Sequence, residues 1–93
     1  MFTGIIEAMG TVLNVKPFMK GCELTIDARL DLSGDRVGDS IAVDGVCLTA
    51  TSIEGTRFVA TASGETVSRS TLSGLKSGSK VNLERAVTLS TRL

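Results

Sequence analysis

The chain has 93 residues, with ten Lys and Arg balanced by ten Asp and Glu for a formal net charge of zero. Its composition, 42% hydrophobic and 22% charged, is that of one small globular domain, so these 93 residues hold a single domain and are not a disordered chain, and no run of about 18 apolar residues exists among them to span a bilayer. The missing basic excess, with three Phe and neither Trp nor Tyr, argues against a nucleic-acid surface, because phosphate neutralisation and base stacking would both lack their residues.

Ten glycines and one proline punctuate short β-rich runs at intervals of about 8–12 residues, the spacing of an all-β barrel or sandwich. Six strands are predicted. The first spans residues 5–15, with Gly10 as a bulge or bend, and ends near Lys16-Pro17. The second spans 22–28, where Cys22, Leu24 and Ile26 alternate with Glu23, Thr25 and Asp27 and leave one face wet. A third strand, 40–43, closes at Asp44-Gly45, a strong hairpin signal. The fourth, 46–53, closes at Glu54-Gly55, and the fifth is 57–62, so that strands three to five form a meander. Between Glu65 and Leu75 the Ser/Thr-rich pattern suggests one or two helical turns stopped by Gly74. The sixth strand is 80–87.

The segment 32–44 aligns without gaps on 72–84, with four identical and four conservative positions. One supersecondary unit used twice explains this: a helical turn ended by glycine, a tight turn at a second glycine, then a strand. An alternative is that Gly-x-x-[Ile/Val]-x-[Val/Leu]-acidic is a common strand entrance. Both readings point to a closed barrel, which removes exposed strand edges.

The absence of histidine removes Ser-His and Cys-His pairs and the commonest metal ligand. Cys22 and Cys47, with no Cys-x-x-Cys, indicate neither a disulfide framework nor a zinc knuckle, and read as reduced intracellular thiols. The start, Met1-Phe2-Thr3-Gly4, lacks the pattern of a secretory signal, which implies a cytoplasmic protein beginning at its own methionine. No Gly-x-Ser-x-Gly, P-loop or paired-carboxylate site is evident.

Period-two alternation places Cys47, Thr49, Thr51 and Ile53 on one face of the fourth strand and Val46, Leu48, Ala50 and Ser52 on the other. One reading is a pocket wall offering a thiol, hydroxyls and main-chain amides to a planar heterocycle; the other makes Cys47 a small core hydrophobe and the threonines ordinary strand formers. Thr61-Ala62-Ser63-Gly64-Glu65-Thr66 is either a ligand-contacting loop or a plain strand-to-helix connection with Glu65 near the positive helix end. Phe2 is either an N-terminal plug or a ligand contact.

Met1-Phe2-Thr3-Gly4-Ile5-Ile6-Glu7, the block 38–49 ending Asp44-Gly45-Val46-Cys47-Leu48-Thr49, Gly64-Glu65-Thr66 and Val81-Asn82-Leu83-Glu84-Arg85-Ala86 occur together in the order and spacing of the α-chain type of riboflavin synthase, which the whole chain resembles. The resemblance implies a six-stranded antiparallel Greek-key barrel, residues 1–93 being the lumazine-binding N-terminal half of a two-barrel enzyme that assembles as a trimer. It implies a transferase of riboflavin biosynthesis that converts two molecules of 6,7-dimethyl-8-ribityllumazine into riboflavin and a ribitylaminopyrimidine, with neither cofactor nor metal.

By similarity, Thr3, Gly4, Ile5, Ile6, Cys47, Leu48, Thr49, Thr61, Ala62, Ser63, Gly64, Glu65 and Thr66 would surround one pteridine, main-chain groups near Cys47 and Thr49 reading its pyrimidinedione edge. Phe2, Ser40 and Cys47 are the positions that would serve the reaction, and Ser40 and Thr66 would also offer hydroxyls to the ribityl chain. Thr61 departs from the family, which usually has an acidic residue there, and the sequence ends at Thr91-Arg92-Leu93, before the family's Gly-Gly-His segment and second barrel. The isolated domain is therefore expected to bind substrate and product, to show weak or no catalysis, and to pair as a homodimer. The alternatives are a non-catalytic chromophore carrier like the lumazine proteins, and a ligand-free structural barrel.

Overall fold

A computed structural model describes residues 8–68 and 71–85. Six strands form one closed antiparallel barrel: β1 (Ala8–Phe18), β2 (Gly21–Asp27), β3 (Ser40–Val43), β4 (Val46–Glu54), β5 (Arg57–Ala62) and β6 (Lys80–Arg85), in the order β1-β2-β5-β4-β3-β6. Strands β3, β4 and β5 are the expected meander, and β6 returns beside β3, which makes the connection a Greek key. A short helix α1 (Gly64–Ser68) and a 3-10 turn at Thr71–Gly74 lie between β5 and β6, where the sequence suggests helical turns.

Alternating apolar residues fill the barrel. Leu24 and Ile26 of β2, Phe58 and Ala60 of β5, Leu48 and Ala50 of β4, and Val81 and Leu83 of β6 are all buried in one core, because each strand turns every second side chain inward. Gly10 is where the wall is tightest: a Cβ there would stand 2.6 Å from Leu83 Cδ1 and 2.9 Å from the Asp27 carbonyl oxygen. Its bareness serves close approach of strands. The expected bulge falls instead at Leu13, between Val12 and Asn14.

β1 also runs past Lys16-Pro17 to Phe18. Among the described residues β6 pairs with β1 over Ala8–Thr11, so Pro17 sits where that edge carries no ladder to β6 and costs no hydrogen bond to it. The β3–β4 hairpin turns through Asp44 (φ 49°) and Gly45 (φ 82°), both left-handed as a two-residue hairpin loop with matching twist requires. The β4–β5 loop is Gly55-Thr56, one residue later than Glu54-Gly55. Residues 5–7, 86 and 87 of the expected first and sixth strands lie outside the described residues.

The duplication is physical. Gly38 (φ 99°) donates its amide to the Ala50 carbonyl at 2.8 Å, and Gly78 (φ 94°) donates to the Val12 carbonyl at 2.8 Å. Ala50 N–H returns to Asp39 O at 2.9 Å, and Val12 N–H to Ser79 O at 2.8 Å. The amides of Arg36 and Lys76 are held by the side chains of Asp39 and Ser79. Leu32 and Leu72 are both buried, and bulges follow Val12 and Ala50 alike. Exchanging β1 with β4, β2 with β5 and β3 with β6 maps the strand order onto itself, so the barrel has an internal pseudo-twofold.

Candidate functional site

The outer wall over β3, β4 and β5 gathers many of the residues the sequence singles out. Ser40 lies opposite Thr49, and Thr49 opposite Thr61. Opposed residues in an antiparallel ladder point to the same side with Cβ atoms about 5 Å apart, so these three hydroxyls form one row. None is engaged by a described residue. Cys47 stands next along β4 on this outward face and is exposed, which overturns the core-hydrophobe reading of its thiol. Its neighbour Leu48 turns inward and is buried, so its contribution to an outer site is limited to the main chain.

Among the described residues the main chain there is open. β4 pairs with β5 only from Thr49 onward, whereas its pairing with β3 begins at Val46. The second edge of Val46–Leu48 therefore lies outside the β4–β5 ladder, and its N–H and C=O groups are a template for an amide-like partner. This edge adjoins the row of hydroxyls.

Thr51 interrupts the expected face. A bulge between Ala50 and Ser52 shifts the register, and Thr51 Oγ1 donates to the Val59 carbonyl at 3.2 Å. Beyond it, Ile53 lies opposite Phe58 and packs on the core. Strict alternation places Ile53 with Cys47; the extra residue sends it inward.

After β5 the chain turns at Ser63, whose Oγ accepts the Thr66 amide at 3.1 Å and donates to Thr66 Oγ1 at 3.0 Å. This is an N-cap of α1, and it fixes the half-buried Thr66 just beyond Thr61. Gly64 is pressed against the β1–β2 loop, Ala62 is buried in the core, and Glu65 is exposed. Phe2, Thr3, Gly4, Ile5 and Ile6 lie outside the described residues.

The row of outward residues does not stop at Thr61. Thr61 lies opposite Glu23 of β2, and Glu23 opposite Lys16 of β1. Lys16 Nζ sits 3.2 Å from Glu23 Oε1, with the carboxylate side chain 23% exposed. Sequence reading missed Glu23; its alternation with Leu24 marks an outward face, but only the β2–β5 register sets it beside Thr61.

A separate hollow of about 220 Å³ lies between the β1–β2 hairpin and the helical segment, lined by Val15, Pro17, Cys22, Val67, Leu72 and others. It contains none of Ser40, Cys47, Thr49 and Thr61. Burial pushes the Cys22 thiol up from its ordinary value, which keeps it protonated and unreactive. Both cysteines are free, and among the described residues no cluster of metal-ligating side chains occurs and no helix is long and apolar enough to cross a membrane.

Residues 3–86 match the model of the lumazine binding domain. The chain belongs to the lumazine-binding domain family. It is 47% identical over 92 residues to riboflavin synthase from Bacillus amyloliquefaciens, a match covering 99% of this chain and 43% of that protein. It is 46% identical over 87 residues to riboflavin synthase from Actinobacillus pleuropneumoniae, covering 94% of this chain and 40% of that protein. The chain thus spans about two-fifths of the length of these relatives. Among solved structures, LumP complexed with flavin mononucleotide superposes with a TM-score of 0.82 at 24% identity, over 91% of this chain and 49% of that one, which shows that the barrel fold is shared.

Proposed function

We propose that this lumazine-binding domain is the first barrel of a riboflavin synthase and holds one molecule of 6,7-dimethyl-8-ribityllumazine, or the product riboflavin, against its outer β3–β4–β5 wall. The observation that carries the reading is the open main-chain edge of Val46–Leu48 beside the unengaged hydroxyls of Ser40, Thr49 and Thr61. A pyrimidinedione presents alternating N–H and C=O groups, the same pattern that an unladdered strand edge offers. Similarity of nearly the whole chain to riboflavin synthases supports the same assignment.

In this reading the main chain near Cys47 and Thr49 grips the heterocycle edge, Ser40 offers its hydroxyl to the ring, and the hydroxyls of Thr61 and Thr66 reach the polar substituent. By similarity to the family, Phe2 and Thr3 to Ile6 are assigned to the same ligand, with Ser63, Gly64 and Glu65 completing its surroundings. The exposed Cys47 thiol is the group placed to give or relay a proton at the ring. Dismutation requires two ring systems face to face, so holding them in register is a large term in the rate enhancement. One wall binds one ring.

The second ring therefore needs a second wall: a further barrel in a two-barrel protein that assembles as a trimer, or another copy of this chain in a homodimer. The isolated domain binds ligand and turns over weakly or not at all, without cofactor or metal, in the cytoplasm. Incubating the 93-residue chain with 6,7-dimethyl-8-ribityllumazine tests both parts. The expected result is saturable binding with little riboflavin formed. Turnover near that of a two-barrel enzyme would show that one barrel suffices; bound ligand with no product under any pairing with a second barrel would favour a chromophore carrier.

A further inference from the structure

The outward row continues past the hydroxyls to a carboxylate. From the register, Ser40, Thr49, Thr61, Glu23 and Lys16 are successive neighbours across five strands. Strands stand about 4.8 Å apart, so Glu23 lies roughly one strand spacing beyond Thr61 and two beyond Thr49. Among the described residues it is the carboxylate of this row, and its side chain is 23% exposed. Lys16 meets Oε1 at 3.2 Å, and no described residue donates to the other oxygen. The Lys16 side chain, 58% exposed, lies on the far side from Thr61. Lys16 thus engages one carboxylate oxygen, and the other retains its acceptor capacity one strand away from Thr61.

We propose that Glu23 reads the polyol chain of the ligand and sets its specificity. This rests on the binding role assigned to the β3–β4–β5 wall. A heterocycle seated over Thr49 projects its ribityl substituent across Thr61, and a carboxylate next in line accepts hydrogen bonds from successive hydroxyls. Charge-assisted bonds of this kind are stronger than those between neutral groups. The same negative charge repels a phosphate at the end of that chain, and the Lys16 partner only partly offsets it because the pair is open to solvent and salt. The domain therefore prefers a free ribityl group to a phosphorylated one.

An ion pair across β1 and β2 with no ligand role would make Glu23 a matter of stability alone, and ligand discrimination separates the two. Fluorescence titrations of the 93-residue chain, unmodified and as Glu23→Gln and Glu23→Ala, use riboflavin, lumiflavin, which lacks the polyol, and flavin mononucleotide. Folding of each variant is checked by circular dichroism. The unmodified chain should bind riboflavin at least about 10-fold more tightly than flavin mononucleotide. Glu23→Ala should weaken riboflavin roughly 10- to 100-fold, the range for a hydrogen bond to a charged group, and leave lumiflavin within about 2-fold. Glu23→Gln should narrow the gap between riboflavin and its phosphate. Equal losses for riboflavin and lumiflavin, or no change in either, would overturn the inference. Failure of the unmodified chain to bind any of the three overturns the wall's binding role instead.

Discussion

Gly64 faces the Lys20 carbonyl so closely that a Cβ would stand 2.5 Å from the oxygen. Its counterpart Gly21 abuts the Ala62 carbonyl. Two bare positions thus let the β1–β2 loop lie against the start of α1, and that contact sets where Ser63 and Thr66 emerge beside Thr61. Gly64→Ala should cost about 1–3 kcal/mol, the usual penalty of overpacking where the obstructing atom is main chain. Urea unfolding checks the loss, and because the N-cap shifts with it, affinity should fall along with stability.

Asp44 carries a positive φ of 49° and its Oδ1 accepts the Asn82 amide at 2.7 Å, tying the β3–β4 turn to β6. Asp44→Ala loses that bond and keeps the strained backbone, for an expected cost of about 1–3 kcal/mol. Asp44→Asn, which tolerates the left-handed region and retains an acceptor, should recover most of it. Thermal melts of the two variants make the comparison, and equal losses would show that the bond to Asn82 contributes nothing.

Acid sensitivity should centre on two carboxylates, the half-buried Asp27 and the exposed Asp31. The Arg29 backbone amide, followed by the Thr56 side chain, holds the Asp27 carboxyl below its ordinary value, and the Ser33 backbone amide does the same for Asp31. A folded-state value below the unfolded one means that the stabilisation is complete above the ordinary carboxylate value of about 4. It is lost as pH falls below that value through the folded-state one. Asp27→Asn and Asp31→Asn together should lower stability near neutrality, where the stabilisation of the carboxylates is complete, and flatten the acid limb of a stability-versus-pH curve below about pH 4. A limb of unaltered slope would place the acid-sensitive groups elsewhere.

Thiol chemistry should separate the two cysteines. Cys47 is exposed and Cys22 buried, so iodoacetamide should label the native chain once, at Cys47, and label Cys22 only in denaturant. Bound riboflavin should slow the labelling of Cys47. Unchanged labelling with saturating ligand would remove Cys47 from the ligand's surroundings.

Most of the barrel was legible because its signals are local. Alternation in Cys22–Asp27 marks one buried face, Asp44-Gly45 marks a left-handed turn, and the spacing of Gly38 and Gly78 repeats a unit whose hydrogen bonds repeat with it. Bulges were not legible, since an extra residue leaves no trace in composition. Thr51 therefore misdirected Ile53, and the bend placed at Gly10 belongs to Leu13. The outward face of the candidate site was legible, with Cys47 and Thr49 sharing it, but not the extent of the row. Glu23 and Lys16 join the row through strand pairing between distant parts of the chain, which no motif records.

Substituting the row probes the wall directly. Thr49→Val removes one hydroxyl at nearly constant volume from an exposed position, so folding stability should change by less than about 0.5 kcal/mol. Riboflavin affinity should drop roughly 3- to 10-fold, as for loss of one neutral hydrogen bond.

Amide chemical-shift mapping of the isotopically labelled chain titrated with riboflavin asks where the ligand sits. The largest shifts should fall on Ser40, Cys47, Leu48, Thr49, Thr61 and Glu23, with the hollow around Cys22, Val67 and Leu75 little affected. Shifts confined to that hollow, or none at saturating ligand, would contradict binding at the outer wall.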